Sequence, residues 1–449
     1  MYKTIQKTWP QDNDLPPRAY RLGMLRRVVD GELYDNMKYP FSFESTDSGE
    51  YVPLRERRPS VRTNFCRIVI DDSIALLFSE GRFPVIELNK GAKTSSDEQI
   101  EIKANQQKML TDLLTETRFN EIMIQAATSG AVGSVAVMMQ VLNKRTFFKV
   151  LDTDNLTPIF DPNAPDTLTS VTEKYKVSGS ALSQAGYAIK DDEQAAQFWF
   201  QRIWDLQNEN WYTPWLVSSD VSFSPEIDKG RSTNHKLGFV PIVWIKNLPG
   251  GDDIDGCSTI QPEAIDCQIE SDYQLSQAGR GLKFMSDPTL VISTDAGPGQ
   301  QQPIIKGANN ALLVSKEGSA KLLEIDGSAV AAVLDYVKNL REIALETMHG
   351  NRSTNEKIAT AQSGRAMEMM NQSLIWLADK LRISYGEVGI IEIVTMIIKA
   401  SNVIDLTLKD GTKIGKFDLK SKLSLRWSPW FAPTIGEMQT RASTLKNTM

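Results

Sequence analysis

The chain has 449 residues, 41% of them hydrophobic and 24% charged, enough for more than one domain and a sizeable core in a soluble globular protein. A formal net charge of −6 and a pI of about 5.3 exclude tight nonspecific wrapping of nucleic acid, which needs many Lys and Arg on phosphates, but not a surface past which DNA slides. The three cysteines, Cys66, Cys257 and Cys267, match no zinc spacing, so a reducing compartment without a disulfide framework is expected.

The N-terminus, MYKTIQKTWPQDND, has no apolar signal region. Roughly the first forty residues read as polar and irregular. SVRTNFCRIVIDDSIALLFSEG predicts a helix, with Val61, Phe65, Ile68 and Ile70 leading to Ile74 and Leu77 and a stop at Gly81. RFPVIEL predicts a short strand, and DEQIEIKANQQKMLTDLLTETRFNEIMIQAATSG one long helix or two, closed by Gly130. SVAVMMQVL, TFFKVLDT and SVTEKYKVSG are strand-like, and QFWFQRIWDL and WYTPWLVS flank QNEN as a hairpin with a polar turn. Trp199, Trp204, Trp211 and Trp215 fall here. They fit a sheet packed on helices better than a platform for stacked bases, because no basic residue beyond Arg202 interleaves with them.

GFVPIVWIKNLPGGDDIDG predicts a strand and a break. The helix that follows has Ser258 or Thr259 near its cap, Pro262 early and Glu263 in its first turn. Ile265, Ile269 and Tyr273 share one stripe and Leu275, Ala278 and Leu282 another, which predicts neighbours on more than one side. Residues 285–327 predict a strand-and-turn insert. Val330, Val333, Val337, Leu340, Ala344 and Thr347 then recur at helical steps. After the polar stretch HGNRSTNEKIATAQSG comes another long helix, with Met367, Met370, Leu374, Leu377 and Leu381 on one stripe and a kink near Gly386 and Gly389. Its most apolar run, GIIEIVTMIIKA, is about half a membrane span and contains Glu392. VIDLTLKDGTKIG and KLSLRWSPW read as strands, and no internal repeat or low-complexity tract is visible.

Chemistry is hard to find. GGDDIDGCS has the spacing of a phosphate loop but lacks its Lys, and Asp252, Asp253 and Asp255 repel phosphate. As a calcium loop the same run puts Pro262 where the bidentate Glu belongs. Asp152, Asp154, Asp161 and Asp166 fit solvated loops better than a divalent-ion site. His235 and His349 are the only histidines, and neither lies in a nucleophile motif. An enzyme, a cofactor and a metal site are therefore not expected.

The order of elements resembles the portal proteins (head–tail connectors) of tailed double-stranded DNA phages. NFCRIVIDDSIALLFSEGRFPVIEL is similar to the family's early helix and strand, and GFVPIVWIKN followed by STIQPEAIDCQIESDYQLSQ to its strand leading into the first stem helix. TAQSGRAMEMMNQSL resembles the start of its kinked helix, and LSLRWSPWFAPTIGEM the strand and Pro-bearing turn after it. The resemblance implies an α+β portal fold: a mixed α/β wing (1–254 and 361–434), a two-helix stem (255–284 and 328–347), a small β clip (285–327) and a tunnel loop (348–360) before the kinked helix. Residues 435–449 would be a residual crown or C-terminal tail.

It further implies a dodecameric ring at one capsid vertex, the channel for genome packaging and ejection, with double-stranded DNA passing through it. The implied partners are the terminase large subunit, a head–tail adaptor, and the major capsid and scaffolding proteins. No membrane is involved; the place is the virion, and the host cytoplasm during assembly. Ring contacts would fall on Ile265, Ile269, Tyr273, Leu275, Leu282, Val333, Val337 and Leu340, and docking on Asp295, Gln300, Gln301, Gln302 and Lys306 of the clip. His349, Asn351, Arg352, Ser353, Thr354, Asn355, Glu356 and Lys357 would face the DNA, with Gly350, Asn351 and Ser353 permitting backbone rearrangement. The alternative is another structural virion protein, such as a baseplate or tail adaptor component.

Overall fold

The computed structural model describes residues 1–88, 97–218, 223–286, 289–293, 319–323, 328–350, 368–369 and 371–430. Helices and strands both contribute substantially, so the chain is of the α+β class. It divides into two compact units. The first comprises Met1–Thr8, Tyr34–Thr63 and Ile265–Ala344; the second comprises Trp9–Leu33, Asn64–Ala264 and Leu345–Met449.

The N-terminal region is more regular than its composition predicts. It holds α1 (Tyr2–Gln6), α2 (Pro17–Asp30) and the two-residue strands β1 (Tyr39–Pro40) and β2 (Arg57–Arg58). Pro16 and Pro17 lead into α2 with the φ a first turn needs. Leu22, Met24 and Val28 are buried, and Gly31 closes the helix at φ 77°, its N–H donating to the Arg27 and Val28 carbonyls.

Next, α3 (Phe65–Phe78) starts later than the pattern predicts because Asn64 caps it, its side-chain oxygen accepting the Arg67 N–H at 3.0 Å. Val61 and Ile68 of the predicted stripe are exposed; Phe65, Ile70, Ile74 and Leu77 are buried. After β3 (Val85–Leu88) the long helical stretch divides into α4 (Asp97–Glu116) and α5 (Phe119–Gly130). Arg118 breaks it, with a φ of 51° that no right-handed helix continues through.

Two sheets follow in the second unit. The larger has strands β6 (Leu156–Asp161), β7 (Ala164–Ser178), β8 (Gln197–Trp204), β9 (Asn208–Trp211), β10 (Trp215–Leu216) and β11 (Thr233–Asn234) in the order β11-β9-β8-β7-β6, with β10 also pairing β8. The smaller is β12-β4-β5, from β4 (Ser134–Leu142), β5 (Arg145–Asp152) and β12 (Ile242–Lys246). Short α6 (Gly179–Gln184) follows β7. Val135 to Met139 of β4 are all buried, which explains an apolar run without alternation. The hairpin turn comes earlier than predicted: β9 begins inside QNEN, and the Asp205 carboxylate holds the turn by accepting the Gln207 and Asn208 N–H groups at 2.7 and 2.6 Å.

The rest of the chain is α7 (Pro262–Ser286), β13 (Thr289–Ser293), β14 (Ser319–Leu323), α8 (Ser328–Thr347), α9 (Gln372–Leu381), α10 (Ile391–Val403) and β15 (Leu423–Arg426). Where a kink is predicted, Arg382–Ile390 instead widens into nine π-helical residues between α9 and α10. Both glycines there serve packing. A Cβ on Gly386 would stand 2.6 Å from the Trp427 ring, and one on Gly389 2.8 Å from Ile245 Cδ1. VIDLTLKDGTKIG is a turn about Gly411 (φ 88°) with a single bridge between Thr407 and Lys413, not a strand. β15 pairs antiparallel with β3. Among the described residues no helix is long and apolar enough to cross a membrane.

In the first unit, Asp272 of α7 anchors the segment Tyr34–Thr63. Its buried carboxylate accepts from the Tyr34 hydroxyl at 2.7 Å and from the Thr63 N–H and hydroxyl at 2.5 and 2.7 Å. Burial pushes its pKa from 3.8 up to about 6, outweighing those hydrogen bonds and Arg62. The native state therefore holds the proton more tightly than the unfolded chain does. The stability this contributes is fully present below about pH 4 and is lost as pH rises through about 6. A difference of this size corresponds to about 3 kcal/mol at most. Urea denaturation of the protein should show a decline from pH 4 to 6 that Asp272→Asn flattens; parallel pH curves for the two proteins would remove this account.

Candidate functional site

The helices α7 and α8, 25 and 20 residues long, bracket an antiparallel pair in which Thr289 to Ser293 of β13 face Leu323 to Ser319 of β14. At 1.5 Å per residue they are about 38 and 30 Å long. The structure sorts the expected ring-contact residues by burial. Ile265, Ile269 and Tyr273 are buried within the chain, and the Tyr273 hydroxyl donates to the Arg55 and Arg57 carbonyls at 3.1 and 3.0 Å. These three are core residues with no surface to offer a second copy, which corrects their assignment. For Tyr273 the cause is Tyr34–Thr63, whose return to α7 the sequence pattern does not reveal. Leu340 is buried as well.

Leu275, Val333 and Val337 are half-buried and Leu282 is exposed. The apolar surface of α8 is also wider than its predicted stripe. Leu334, at 47% exposure, lies on one flank of the Val333–Val337–Leu340 row and Tyr336, at 45%, on the other. At about 100° per residue these flanks are well separated around the helix. An apolar band open along both edges can pack neighbours on two sides. The sequence signal was present, but a strict three-and-four count passes over both residues.

The end of α8 is defined closely. His349 takes φ 57°, its N–H donates to the Glu346 carbonyl at 3.2 Å, and the Gly350 N–H donates to the Leu345 carbonyl at 2.7 Å. This is a Schellman cap with His349 at the left-handed position. Gly350 is buried, and a Cβ there would stand 2.7 Å from Val69 Cγ2. The expectation that Gly350 permits rearrangement is thus corrected: it fixes the helix end by close packing. Asn351, Arg352, Ser353, Thr354, Asn355, Glu356 and Lys357, and Asp295, Gln300, Gln301, Gln302 and Lys306, lie outside the described residues.

Polar residues singled out by sequence take structural roles. Asp255 of the GGDDIDG run is buried under Arg18, which binds it through Nε and Nη2, each at 2.7 Å. Ser134 donates to the same carboxylate at 2.6 Å and Arg21 at 2.9 Å. Asp252 holds the turn, accepting the Ile254 and Asp255 N–H groups, which keep its pKa below the ordinary range. Asp152 and Asp154 both pair with Arg26, at 2.8 and 3.9 Å, and burial pushes the Asp154 carboxyl up, so Asp154 is not in a solvated loop. Half-buried His235 accepts the Leu237 N–H on Nδ1, and burial lowers its pKa below the ordinary imidazole value. Among the described residues no group of three or more His, Cys, Asp or Glu is placed to hold a metal ion.

The tryptophan-rich sheet departs from its reading in one respect. Basic residues do interleave, because β7 lies beside β8: Lys176 stands opposite Trp199, and Lys174 and Lys176 lie 4.6 and 5.0 Å from its ring centre. Arg202 sits 4.2 Å from both Trp204 and Trp211 and pairs with Glu209 at 2.7 Å. The chain's own cations occupy these rings. Neighbours across a sheet are invisible to a search along one segment. No protein-family model matches the chain, and no curated protein matches it in sequence.

Proposed function

We propose that the chain is a portal-type ring protein, which builds the channel for genome packaging and ejection at a capsid vertex of a tailed phage. The observation that carries this reading is the order of elements after the second unit's sheets. A 25-residue helix, a small antiparallel β pair and a 20-residue helix with apolar residues on both flanks come in succession, and then a long helix interrupted by π-helical turns. Two long helices around a small β tip suit a stem and clip. An apolar band open on both edges suits a heterologous interface, in which each copy meets a neighbour on either side and the ring closes.

On this reading 285–327 is the docking tip for the terminase large subunit and later the head–tail adaptor, while Arg352 and Lys357 repeat around the channel as belts of positive charge that touch phosphates transiently. The acidic net charge fits a channel wall along which DNA must slide. Negative-stain images of the purified protein should show closed rings with a central hole, and light scattering should give a mass many times that of one chain. A monodisperse single chain at all concentrations would overturn the proposal.

A further inference from the structure

We infer that a cleft in the second compact unit is a binding site for a small organic cation with an apolar body. The cleft holds about 560 Å³, within the roughly 300–1,000 Å³ of small-molecule sites. The end of the β6–β7 hairpin, β12, the π-helical turns and α10 enclose it. Its inner wall is apolar: Ile242, Val243, Trp244 and Met396 are buried, and Phe239 is half-buried beside them.

Charge selects the occupant. Three carboxylates line the cleft, Asp166, Glu387 and Glu392, against one cation, Lys399. All four side chains are exposed, so they stand at the rim of the apolar wall. Among the described residues none of the four forms an ion pair. Asp166 accepts from the Thr167 hydroxyl at 3.3 Å, which leaves its charge in place, and Lys399 lies 5.9 Å from the Phe239 ring centre. Three carboxylates against one ammonium leave the mouth negative. The helix geometry contributes to this. Glu387 and Val388 belong to the π-helical turns and Glu392 to α10. On a regular α-helix, residues five apart lie about 140° from each other around the axis. The i→i+5 bonding between the two glutamates narrows that angle, and both line the same cleft. A metal ion is the wrong occupant, since among the described residues no group of three or more His, Cys, Asp or Glu is placed to hold one. An anion would meet the three carboxylates. An ammonium group at the rim with its hydrocarbon on the inner wall matches both halves of the lining.

The inference does not rest on ring formation, since binding can be read in any assembly state. The test is isothermal titration calorimetry of the full-length protein with phenylbutylamine, an ammonium ion at neutral pH. Saturable binding at one site per chain is expected. Phenylbutanol, the same body without the charge, should bind about tenfold more weakly or less. Glu387→Gln with Glu392→Gln should weaken the amine by about tenfold or more. Lys399→Gln, which removes the one competing cation, should tighten it severalfold, a gain that loss of structure cannot produce. Val388→Trp, at an exposed position bordering the cleft, should block the amine while circular dichroism keeps the helix signal. Absence of saturable binding, equal affinity for amine and alcohol, wild-type affinity in the double glutamine protein, weaker binding in the Lys399→Gln protein, or undiminished binding in the Val388→Trp protein would each overturn the inference.

Discussion

Under the proposed ring assembly, glutamate at both Leu334 and Tyr336 should leave the chain folded but unable to form rings: light scattering should give the mass of one chain, and circular dichroism the unaltered helix signal. The two side chains are 47% and 45% exposed, so a charge on either costs the isolated chain little. In a ring each would be buried against a neighbour, where an apolar side chain of this size contributes about 1.5–3 kcal/mol. That loss recurs at every interface, and the new carboxylates must also be desolvated. Ile269→Glu gives the opposite failure. Its side chain is fully buried, so the variant loses folded protein rather than assembly alone. Rings of normal mass in the Leu334, Tyr336 double variant would take the assembly surface away from α8.

Asp255→Ala destabilises the second unit by about 3–5 kcal/mol in chemical denaturation. The substitution strands Arg18, whose side chain is 15% exposed and whose Nη1 already serves the Thr153 and Leu156 carbonyls at 2.6 and 2.9 Å. It also removes the acceptor for Ser134. Asp253→Ala, two residues away and exposed, should change stability by no more than about 0.5 kcal/mol. Both pairs of Asp255 oxygens and Arg18 nitrogens are sheltered, so the effect should persist in high salt. A cost below about 1 kcal/mol for Asp255→Ala would mean that the pair is dispensable.

These residues also show where sequence stops informing. Local pattern gave α8, the β pair after α7 and the strand β12, because each follows from spacing within one segment, while the α+β class came from the order of elements and the resemblance it carries. Three aspartates in a turn look alike in sequence; only Arg18, 237 residues earlier, distinguishes Asp255. Ile265, Ile269 and Tyr273 looked like an interface for the same reason: a second apolar stripe demands a partner, and sequence does not say whether the partner is another copy or a distant part of the same chain. Gly350 and Gly386 looked like hinges and are points of close packing, set by Val69 and Trp427 far along the chain.

The first unit is assembled from three separate stretches, and this sets an order in time. Tyr34 and Thr63 leave the ribosome roughly 200 residues before Ile265 does. At about 5–20 residues per second, that leaves them without Asp272 for on the order of ten to forty seconds. Over that interval most of the second unit is synthesised, although Leu345–Met449 is still to come. The first unit is not complete until about two thirds of the second has been made, and the second is not complete until the first is whole. The nascent chain therefore carries unsatisfied early segments through about half of its own synthesis, the stage at which a chaperone or a wrong partner has its best opportunity.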